Sequence, residues 1–456
     1  MTTTDRIRPS RPTPAPLLAE EERRGLPWWS YFNKELLEIE QEELFRKHWQ
    51  LVGHVSNVPQ AGDFMTLDIV GERALTVRGQ DGQVRSFHNV CRHRGSRVVA
   101  KASGNCRGNI VCPFHGWTYA LDGTLRAMPR PRSLPQLDPH AHGLVPLQQE
   151  IWQGFVFVRF LESSQPSVAE LMAPYEAEIA KYKSGEVQPL GGFVSEEIPV
   201  NWKAVRDVDN EGYHVPIAHP SLQDLYGRGY ADERHHRGSS RSFAPFNEGV
   251  GRHWSVRHYK KILPAVEHLP EAHQRGWLYV GLFPNMVFGF YPDRVGFYQE
   301  WPVAVDRTVQ RSASYAIADE RREMKLARYL SGRIDRVTGR EDVQLIIWSW
   351  EAMQSSGFNG TILSDLEAGV RDYHDELRRR IPVLNLEDEP IAGTLGGING
   401  SLLASNKAQK ARRARRASRE SAAAAAAAAK APAPPAAGAP AAPAATTPVP
   451  VPEAAA

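Results

Sequence analysis

The spacing of hydrophobic positions changes along the chain and divides it into segments. Between residues 35 and 49 the apolar side chains recur near the helical period, which predicts a helix behind a polar, proline-rich arm. Beyond residue 50 come short β-branched and aromatic runs, with a hairpin turn sequence, QDG, at 80–82. We therefore expect an arm and a helix in residues 1–49 and a small all-β domain in residues 50–162.

The following segment contains both helix-like and strand-like hydrophobic patterns. Helical spacing recurs over residues 168–182, 316–333, 342–354 and 363–380. Between these runs lie apolar strand-like sequences such as LYVGLFPNMVFGFY. Residues 163–405 are thus expected to form an α+β domain large enough to enclose a pocket. Residues 406–456 are rich in Ala, Pro and Arg without aromatics, which predicts a disordered tail.

Charge and cysteine content narrow the class of protein. Eight of the 55 Lys and Arg residues, but only two of the 52 Asp and Glu residues, lie from Lys407 onward, so the rest of the chain is slightly acidic. Nucleic-acid binding by the folded part is therefore disfavoured. Three cysteines in 456 residues exclude a disulfide scaffold, and no apolar run reaches the length of a membrane span. Without a secretory signal, these features predict a cytoplasmic protein.

Two pairs of metal-binding residue types stand in the β-domain. Cys91 and His93 form a Cys-x-His pair, and Cys112 and His115 form a Cys-x-x-His pair. Two thiolates and two imidazoles can bind zinc, but zinc fingers usually pair like residues locally. One Cys and one His from each loop is the arrangement by which Cys₂ holds one iron and His₂ the other iron of a [2Fe–2S] cluster.

A second constellation lies in the following domain. His214 and His219 are five residues apart, so in an unbroken helix their directions would differ by about 140°. Pro216 between them predicts an interrupted helix that brings the imidazoles together. Two imidazoles and one carboxylate make the facial triad of Fe(II) oxygenases, which leaves coordination positions open.

The motifs CRHRG and CPFHGWTY, together with NWK and E-x-Y-H-x4-H, resemble those of the Rieske-type non-haem iron ring-hydroxylating oxygenases, in the α (terminal oxygenase) subunit. The resemblance covers residues of about 25–385. It implies a Rieske [2Fe–2S] domain and a helix-grip-like α+β catalytic domain, an antiparallel sheet with helices. It also implies that Cys91, His93, Cys112 and His115 bind the cluster, while His214 and His219 bind a mononuclear Fe(II).

Two further site residues follow from the same resemblance. Glu211 takes the place of the acidic residue that links a Rieske histidine of the neighbouring subunit to an iron histidine. The third iron ligand should be a carboxylate at the start of a downstream helix, and Asp342 is the first choice. Asp342 lies four residues further from Gln354 than the family pattern suggests, so Glu341 and Glu351 remain alternatives.

The resemblance implies the oxygenase component of a multicomponent system. Electrons would come from NAD(P)H through a separate flavin and iron–sulfur reductase, with or without a ferredoxin, which agrees with the missing nucleotide-binding motif. The implied assembly is a head-to-tail α₃ homotrimer, with α₃β₃ as the alternative. Mono- or dihydroxylation of an aromatic ring is the leading expectation for the reaction.

Three alternatives remain at this point. Oxidative demethylation or hydroxylation of a quaternary amine or betaine is suggested by Glu211 and by tryptophans able to cage a methylammonium, Trp254, Trp348 and Trp350. A pure electron carrier would use the Rieske domain alone. An interaction protein would depend on the basic tail.

Overall fold

The computed structural model describes residues 23–358 and 360–430. The chain divides into a first unit that ends at Gly400 and a second unit that begins at Ser401. Within the described residues no helix is long and apolar enough to cross a lipid bilayer. The predicted N-terminal arm lies almost entirely outside the described residues.

The strands are β1 (Gln50–His54), β2 (Asp63–Ile69), β3 (Glu72–Arg78), β4 (Val84–His88), β5 (Ser103–Asn105), β6 (Asn109–Val111), β7 (Thr118–Ala120), β8 (Leu125–Ala127), β9 (Gln148–Trp152), β10 (Phe155–Arg159), β11 (Gln188–Pro189), β12 (Val194–Ile198), β13 (Ala231–Asp232), β14 (Ser239–Pro245), β15 (Gly276–Leu282), β16 (Met286–Phe290), β17 (Val295–Ala304) and β18 (Arg307–Ala316). The α-helices are α1 (Lys34–Glu40), α2 (Val168–Met172), α3 (Glu176–Ile179), α4 (Trp202–Asp209), α5 (Val215–Ala218), α6 (Pro220–Tyr226), α7 (Trp254–Ile262), α8 (Glu271–Gln274), α9 (Arg322–Met353), α10 (Ala368–Arg380) and α11 (Leu395–Lys430).

The first domain is built from three small antiparallel sheets, ordered β4-β3-β2-β5, β6-β7-β8 and β1-β10-β9. The predicted hairpin joins β3 to β4, with Gly82 at φ +78°, a conformation that glycine adopts without strain. Apolar side chains from the first two sheets form one core, and Cys91 and Cys112 belong to it. This core fixes the bases of the two loops that carry the Cys and His pairs.

The second domain is organised around an antiparallel sheet ordered β11-β18-β17-β16-β15-β14-β13, with β12 also paired to β18. One face packs on β1, β9, β10 and α2, so it joins this domain to the first. The other face packs on helices α5, α6, α7 and α9. The predicted α+β class and antiparallel sheet are confirmed.

One helix differs from the prediction. Residues 316–333 and 342–354 were expected to form two helices, but α9 runs unbroken from Arg322 to Met353. The glycines near the expected break, Gly332 and Gly339, cost only about 1 kcal/mol each relative to Ala, and no proline interrupts the helix. The prediction that Asp342 begins a helix is therefore wrong, because Asp342 lies in the interior of α9.

The tail also differs where it is described. Disorder was expected over residues 406–456, but α11 continues to Lys430. Alanine has the highest helix propensity and Arg, Lys and Gln follow closely, so this composition favours a helix even without a buried face. Residues 431–456 lie outside the described part of the chain.

Candidate metal centres

The two Cys and His pairs lie on loops of similar backbone geometry. In the first, the Gly95 N–H donates to the Cys91 carbonyl at 3.0 Å, and in the second the Gly116 N–H donates to the Cys112 carbonyl at 3.0 Å. Both glycines adopt positive φ, +76° and +73°, which lets each loop reverse direction within two residues after its His. Each loop therefore presents one thiol and one imidazole.

The thiols and imidazoles face different surroundings. Cys91 and Cys112 are 3% and 2% exposed, whereas His115 is exposed. The rings of His93 and His115 lie 4.7 Å apart, and His93 stacks on Trp117. His93 is half-buried, so the imidazole pair is more exposed than the thiol pair, which is the order required when the His-ligated iron is the outer one.

The chemistry of these donors fits a cluster. Burial raises the pKa of the Cys91 thiol, so a metal ion is needed to hold it as a thiolate. The Tyr119 hydroxyl lies 3.3 Å from the Cys91 sulfur and accepts the Arg92 N–H, and such contacts to cluster sulfurs tune the reduction potential. His93 Nδ1 is buried without a protein hydrogen-bond partner, as expected of a metal-binding nitrogen.

The zinc alternative for these four residues has less support. A tetrahedral zinc ion would require all four donor atoms to converge on one point. Among the described residues, one set of three or more Cys, His, Asp or Glu side chains has donor atoms all within 4.8 Å of one another, and it lies in the other domain. Separated thiol and imidazole pairs match a two-iron cluster instead.

The converging set is His214, His219 and Asp342. His214 directly precedes the single turn of α5, and His219 ends it with extended angles, φ −123° and ψ 77°. The prediction assigned the interruption to Pro216, but Pro216 is accommodated in the first turn of α5. Pro220 causes the break, because a residue before proline is disfavoured in helical geometry.

The three donor atoms lie close together. The Nε2 atoms of His214 and His219 are 3.1 Å apart. Asp342 Oδ1 is 2.7 Å from His219 Nε2 and 3.6 Å from His214 Nε2. This oxygen is buried and makes no well-formed hydrogen bond.

Two further carboxylates orient the imidazoles. Glu211 accepts from His214 Nδ1, and Glu341 Oε2 lies 2.9 Å from His219 Nδ1. With the protons on Nδ1, both Nε2 atoms are lone-pair acceptors that face each other and Asp342 Oδ1. Three acceptors converging without a donor repel one another, so the arrangement suits a divalent cation between them.

Electrostatics support the same assignment. Burial lowers the pKa of His214, but the nearby carboxylates of Asp342 and Glu211 outweigh it and raise the pKa to about 10. The pKa of Asp342 is lowered because its contacts with both histidines outweigh burial. The site therefore stabilises positive charge, and a metal cation can replace the protons.

The structure distinguishes the three carboxylates considered as the third donor. Glu341 contacts the far nitrogen of His219, so it orients a donor instead of providing one. Glu351 is exposed near the end of α9. Asp342 alone of the three carboxylates converges with the histidines.

Several other polar residues near the site make contacts that the sequence does not reveal. Arg206 pairs with Asp209 and with Glu300, which is 94 positions away. Asp207 accepts hydrogen bonds from Tyr31 and His374. These contacts join segments that have no common motif, so only the fold reveals them.

The proposed tryptophan cage has little support. Trp254 and Trp348 are 54% and 58% exposed. Trp350 is buried, but it packs on Phe32 with ring centroids 4.4 Å apart.

Two protein-family models match the chain, one in each of its two domains. The family described as Rieske [2Fe-2S] domain matches residues 48–138, and the family described as ring hydroxylating alpha subunit (catalytic domain) matches residues 178–382. The chain belongs to the Rieske-type non-haem iron oxygenases, as an α (oxygenase) subunit. This family uses a Rieske [2Fe–2S] cluster and a non-haem iron, and both donor sets described above fit those groups.

Individual relatives refine this assignment. The chain is 34% identical over 219 residues to the glycine betaine monooxygenase oxygenase subunit of Pseudomonas aeruginosa, covering 48% of this chain and 50% of that protein. It is 32% identical over 206 residues to the carnitine monooxygenase oxygenase subunit of Escherichia coli K12, covering 45% and 54%. The chain thus spans about half the length of the curated relatives it matches.

Solved structures share the fold. The quaternary ammonium Rieske monooxygenase CntA with L-carnitine superposes with a TM-score of 0.65 at 23% identity, covering 80% of this chain and 99% of that one. Naphthalene 1,2-dioxygenase with indole superposes with a TM-score of 0.63 at 20% identity, covering 82% and 94%.

Proposed function

We propose that this protein is the terminal oxygenase of a multicomponent system that oxidises a quaternary ammonium substrate with O₂. The observation that carries the oxygenase half is the convergence of His214, His219 and Asp342 in a chain that also presents the Rieske Cys and His loops. The facial arrangement of two nitrogens and one oxygen leaves positions for O₂ next to the substrate. A pure electron carrier would have no use for this second donor set.

The chain's own residues perform the supporting chemistry. When bound, the mononuclear iron activates O₂ and the cluster supplies electrons one at a time. Glu211 and Glu341 hold the protons on Nδ1 of the two histidines and so keep both Nε2 atoms available for the metal. Asp342 supplies the anionic donor from the interior of α9, whose length holds it rigidly.

The quaternary-amine reading has more support than the aromatic-ring reading with which the sequence was first interpreted. The curated relatives described above act on glycine betaine and carnitine. Asp335 lies seven residues before Asp342 on α9, hence on the same face of the helix, but Arg294 pairs with its carboxylate and offsets its charge. The Tyr291 hydroxyl donates to Asp335 and also contacts the Tyr279 hydroxyl. Tyrosine rings can receive a methylammonium cation by cation–π attraction.

The substrate proposal predicts formaldehyde release that requires the positive charge. With a reductase, NADH and O₂, glycine betaine or carnitine should yield formaldehyde in proportion to the O₂ consumed. The matched control is 3,3-dimethylbutyrate, which replaces the betaine nitrogen by carbon and keeps its shape. Hydroxylation of the tert-butyl group breaks no C–C bond and releases no formaldehyde, so turnover of this compound is measured as its hydroxylated product. We expect its kcat/KM to be lower by about 30-fold, which corresponds to about 2 kcal/mol for a desolvated cation–π contact. Hydroxylation of naphthalene without formaldehyde from any methylammonium would contradict the substrate proposal.

The proposed function also implies a separate reductase and a trimeric assembly. The chain carries no visible nucleotide-binding motif, so electrons from NAD(P)H require a separate reductase. A head-to-tail trimer would set the Rieske loops of one subunit against Glu211 of the next. Exposed apolar side chains support this arrangement on both surfaces: Phe114 beside His115 is 56% exposed, and Ile217 between the two iron-site histidines is 89% exposed.

The trimer predicts a specific loss of electron transfer. Ile217→Arg should convert the trimer to monomers and stop the transfer of electrons from a reduced cluster, since a charge at this position would be buried against the neighbouring Rieske loops. Val250→Arg, at another exposed apolar position, is the control and should remain a trimer. Analytical ultracentrifugation measures the assembly, and stopped-flow reoxidation of the cluster measures the transfer. A monomeric wild type would contradict the arrangement.

A further inference from the structure

Two carboxylates share one buried guanidinium next to the candidate iron site. Arg206 Nη1 lies 3.1 Å from Asp209 Oδ2 and 3.5 Å from Glu300 Oε2. The Arg206 side chain is 3% exposed and that of Glu300 is fully buried, while the Asp209 side chain retains 18% exposure. Arg206 and Asp209 belong to α4, and Glu300 belongs to β17. This trio therefore lies between the sheet and the helix that leads into Glu211 and His214.

The charges of the trio do not balance unless a proton is present. One guanidinium offsets one carboxylate, so two ionised carboxylates would leave a negative charge in a dry environment. Burial raises the pKa of Asp209 well above its usual range, with Glu300 and Asp342 raising it further and Arg206 and Tyr298 opposing. Burial likewise raises the pKa of Glu300, against Arg206 and Gln310. One guanidinium between two buried carboxylates, with both pKa values raised, favours a proton shared by the pair.

The trio faces the iron site on one side. Asp209 lies five residues before His214, and its carboxylate is close enough to Asp342 for mutual repulsion to affect its pKa. The Tyr298 hydroxyl donates to Asp209 Oδ1 at 3.4 Å. The partial exposure of Asp209 leaves this carboxyl accessible to water at the site.

On the other side lies a small cavity of about 60 Å³ whose wall includes Arg206, Asn210 and His235. Arg206 Nε faces no hydrogen-bond acceptor although it is buried, so water in the cavity is a fitting partner. Burial lowers the pKa of His235 to about 4, so its imidazole is neutral and does not take the shared proton. The wall also carries two carboxylates, Asp372 and Glu376, each paired with an arginine, and two further arginines, Arg237 and Arg379, of which Arg379 pairs with Glu376.

We propose that Asp209 and Glu300, bridged by Arg206, are a proton store for the oxygen chemistry at the neighbouring iron site, refilled by water from the cavity behind Arg206. This inference rests on the proposed oxygenase function. Hydroxylation follows R–H + O₂ + 2e⁻ + 2H⁺ → R–OH + H₂O, in which the O–O bond breaks and a C–O bond forms. The reductase supplies the two electrons, and two protons must reach the iron site as the O–O bond breaks. The trio supplies the first of them locally.

The proton store can be observed without turnover. Infrared spectra of the full-length protein, loaded with its cluster and iron, should contain a carboxylic-acid C=O band near neutral pH that shifts in D₂O. The band should disappear in Glu300→Gln and in Asp209→Asn, since each amide leaves a single carboxylate paired with Arg206. Asp293→Asn is the matched control: Asp293 is also buried on the helix side of the sheet and accepts hydrogen bonds from Tyr259 and Ser331. This variant should keep the band.

Turnover provides the second readout. In Asp209→Asn we expect kcat to fall about 100-fold, the range of a positioned proton donor, with iron content and KM little changed. Peroxide release should rise as product formation falls. The wild-type kcat should decline as the pH rises through the pKa of the shared proton, and this decline should be absent in the variant.

The outcomes separate this inference from the function on which it rests. A wild type without the band, or variants that keep both the band and the coupling of O₂ to product, would refute the proton store and leave the oxygenase function intact. If the variants lose iron as well as the band, the trio is structural and the inference is also refuted. A wild type without mononuclear iron would refute the oxygenase function itself.

Discussion

Asp342→Ala should remove the mononuclear iron and leave the Rieske cluster in place. Iron content is expected to fall from about three to about two per chain, because the cluster holds two irons and the facial site one. The reduced protein should keep its Rieske EPR signal, and substrate turnover should fall to background. The physical reason is that Asp342 Oδ1 is the anionic member of the three converging donors, and two neutral imidazoles alone bind Fe(II) weakly.

The adjacent residue provides a graded control. Glu341→Gln keeps the side-chain shape but weakens the contact that fixes the proton on His219 Nδ1. We expect iron affinity to fall about 10- to 100-fold, so that excess Fe(II) restores turnover. If Glu341→Gln lost iron beyond rescue and Asp342→Ala kept it, the donor assignment would have to be exchanged.

Cys112→Ser should abolish the cluster and with it every electron supplied to the second site. The visible absorption and the Rieske EPR signal are expected to disappear, and NADH-dependent turnover should stop, because serine does not replace a buried thiolate ligand at this cluster. The mononuclear iron should remain, since its donors come from the other domain.

The third cysteine is the matched control for this result. Cys106 lies between the two loops, and burial raises the pKa of its thiol to about 11, so it remains a protonated bystander. Cys106→Ser should keep the absorption spectrum, the EPR signal and turnover. Loss of the cluster in Cys106→Ser and its retention in Cys112→Ser would overturn the ligand set.

The parts of the sites that could be predicted from sequence are those with short-range chemistry. Each Rieske loop brings its own Cys and His, and a glycine one or two residues after the His marks the reversal of the chain. The pair His214 and His219 is likewise held by one short segment. Residue types at fixed short spacing were enough to predict these groups and the metals they suit.

The choice between Asp342 and Glu341 could not be made in this way. Both are acidic, adjacent and more than 120 residues from His219, so only the rotation of α9 decides which carboxylate meets Nε2 and which meets Nδ1. The trio around Arg206 was invisible for a similar reason, because Glu300 arrives from a strand whose register no local pattern specifies. The substrate also depends on which side chains several distant elements bring together.

The way the iron-site donors are held has a thermodynamic consequence. Glu211 and Glu341 orient the two imidazoles, and a 32-residue helix carries Asp342, so protein contacts define the cradle. The free energy of metal binding is then not consumed in ordering the chain, unlike in a zinc finger. By linkage, metal binding instead raises the free energy of unfolding, by about 2.7 kcal/mol at a metal concentration of about 100 Kd. Iron at this site is therefore an exchangeable ligand of a folded catalytic domain, loaded after folding and open to replacement by other divalent ions.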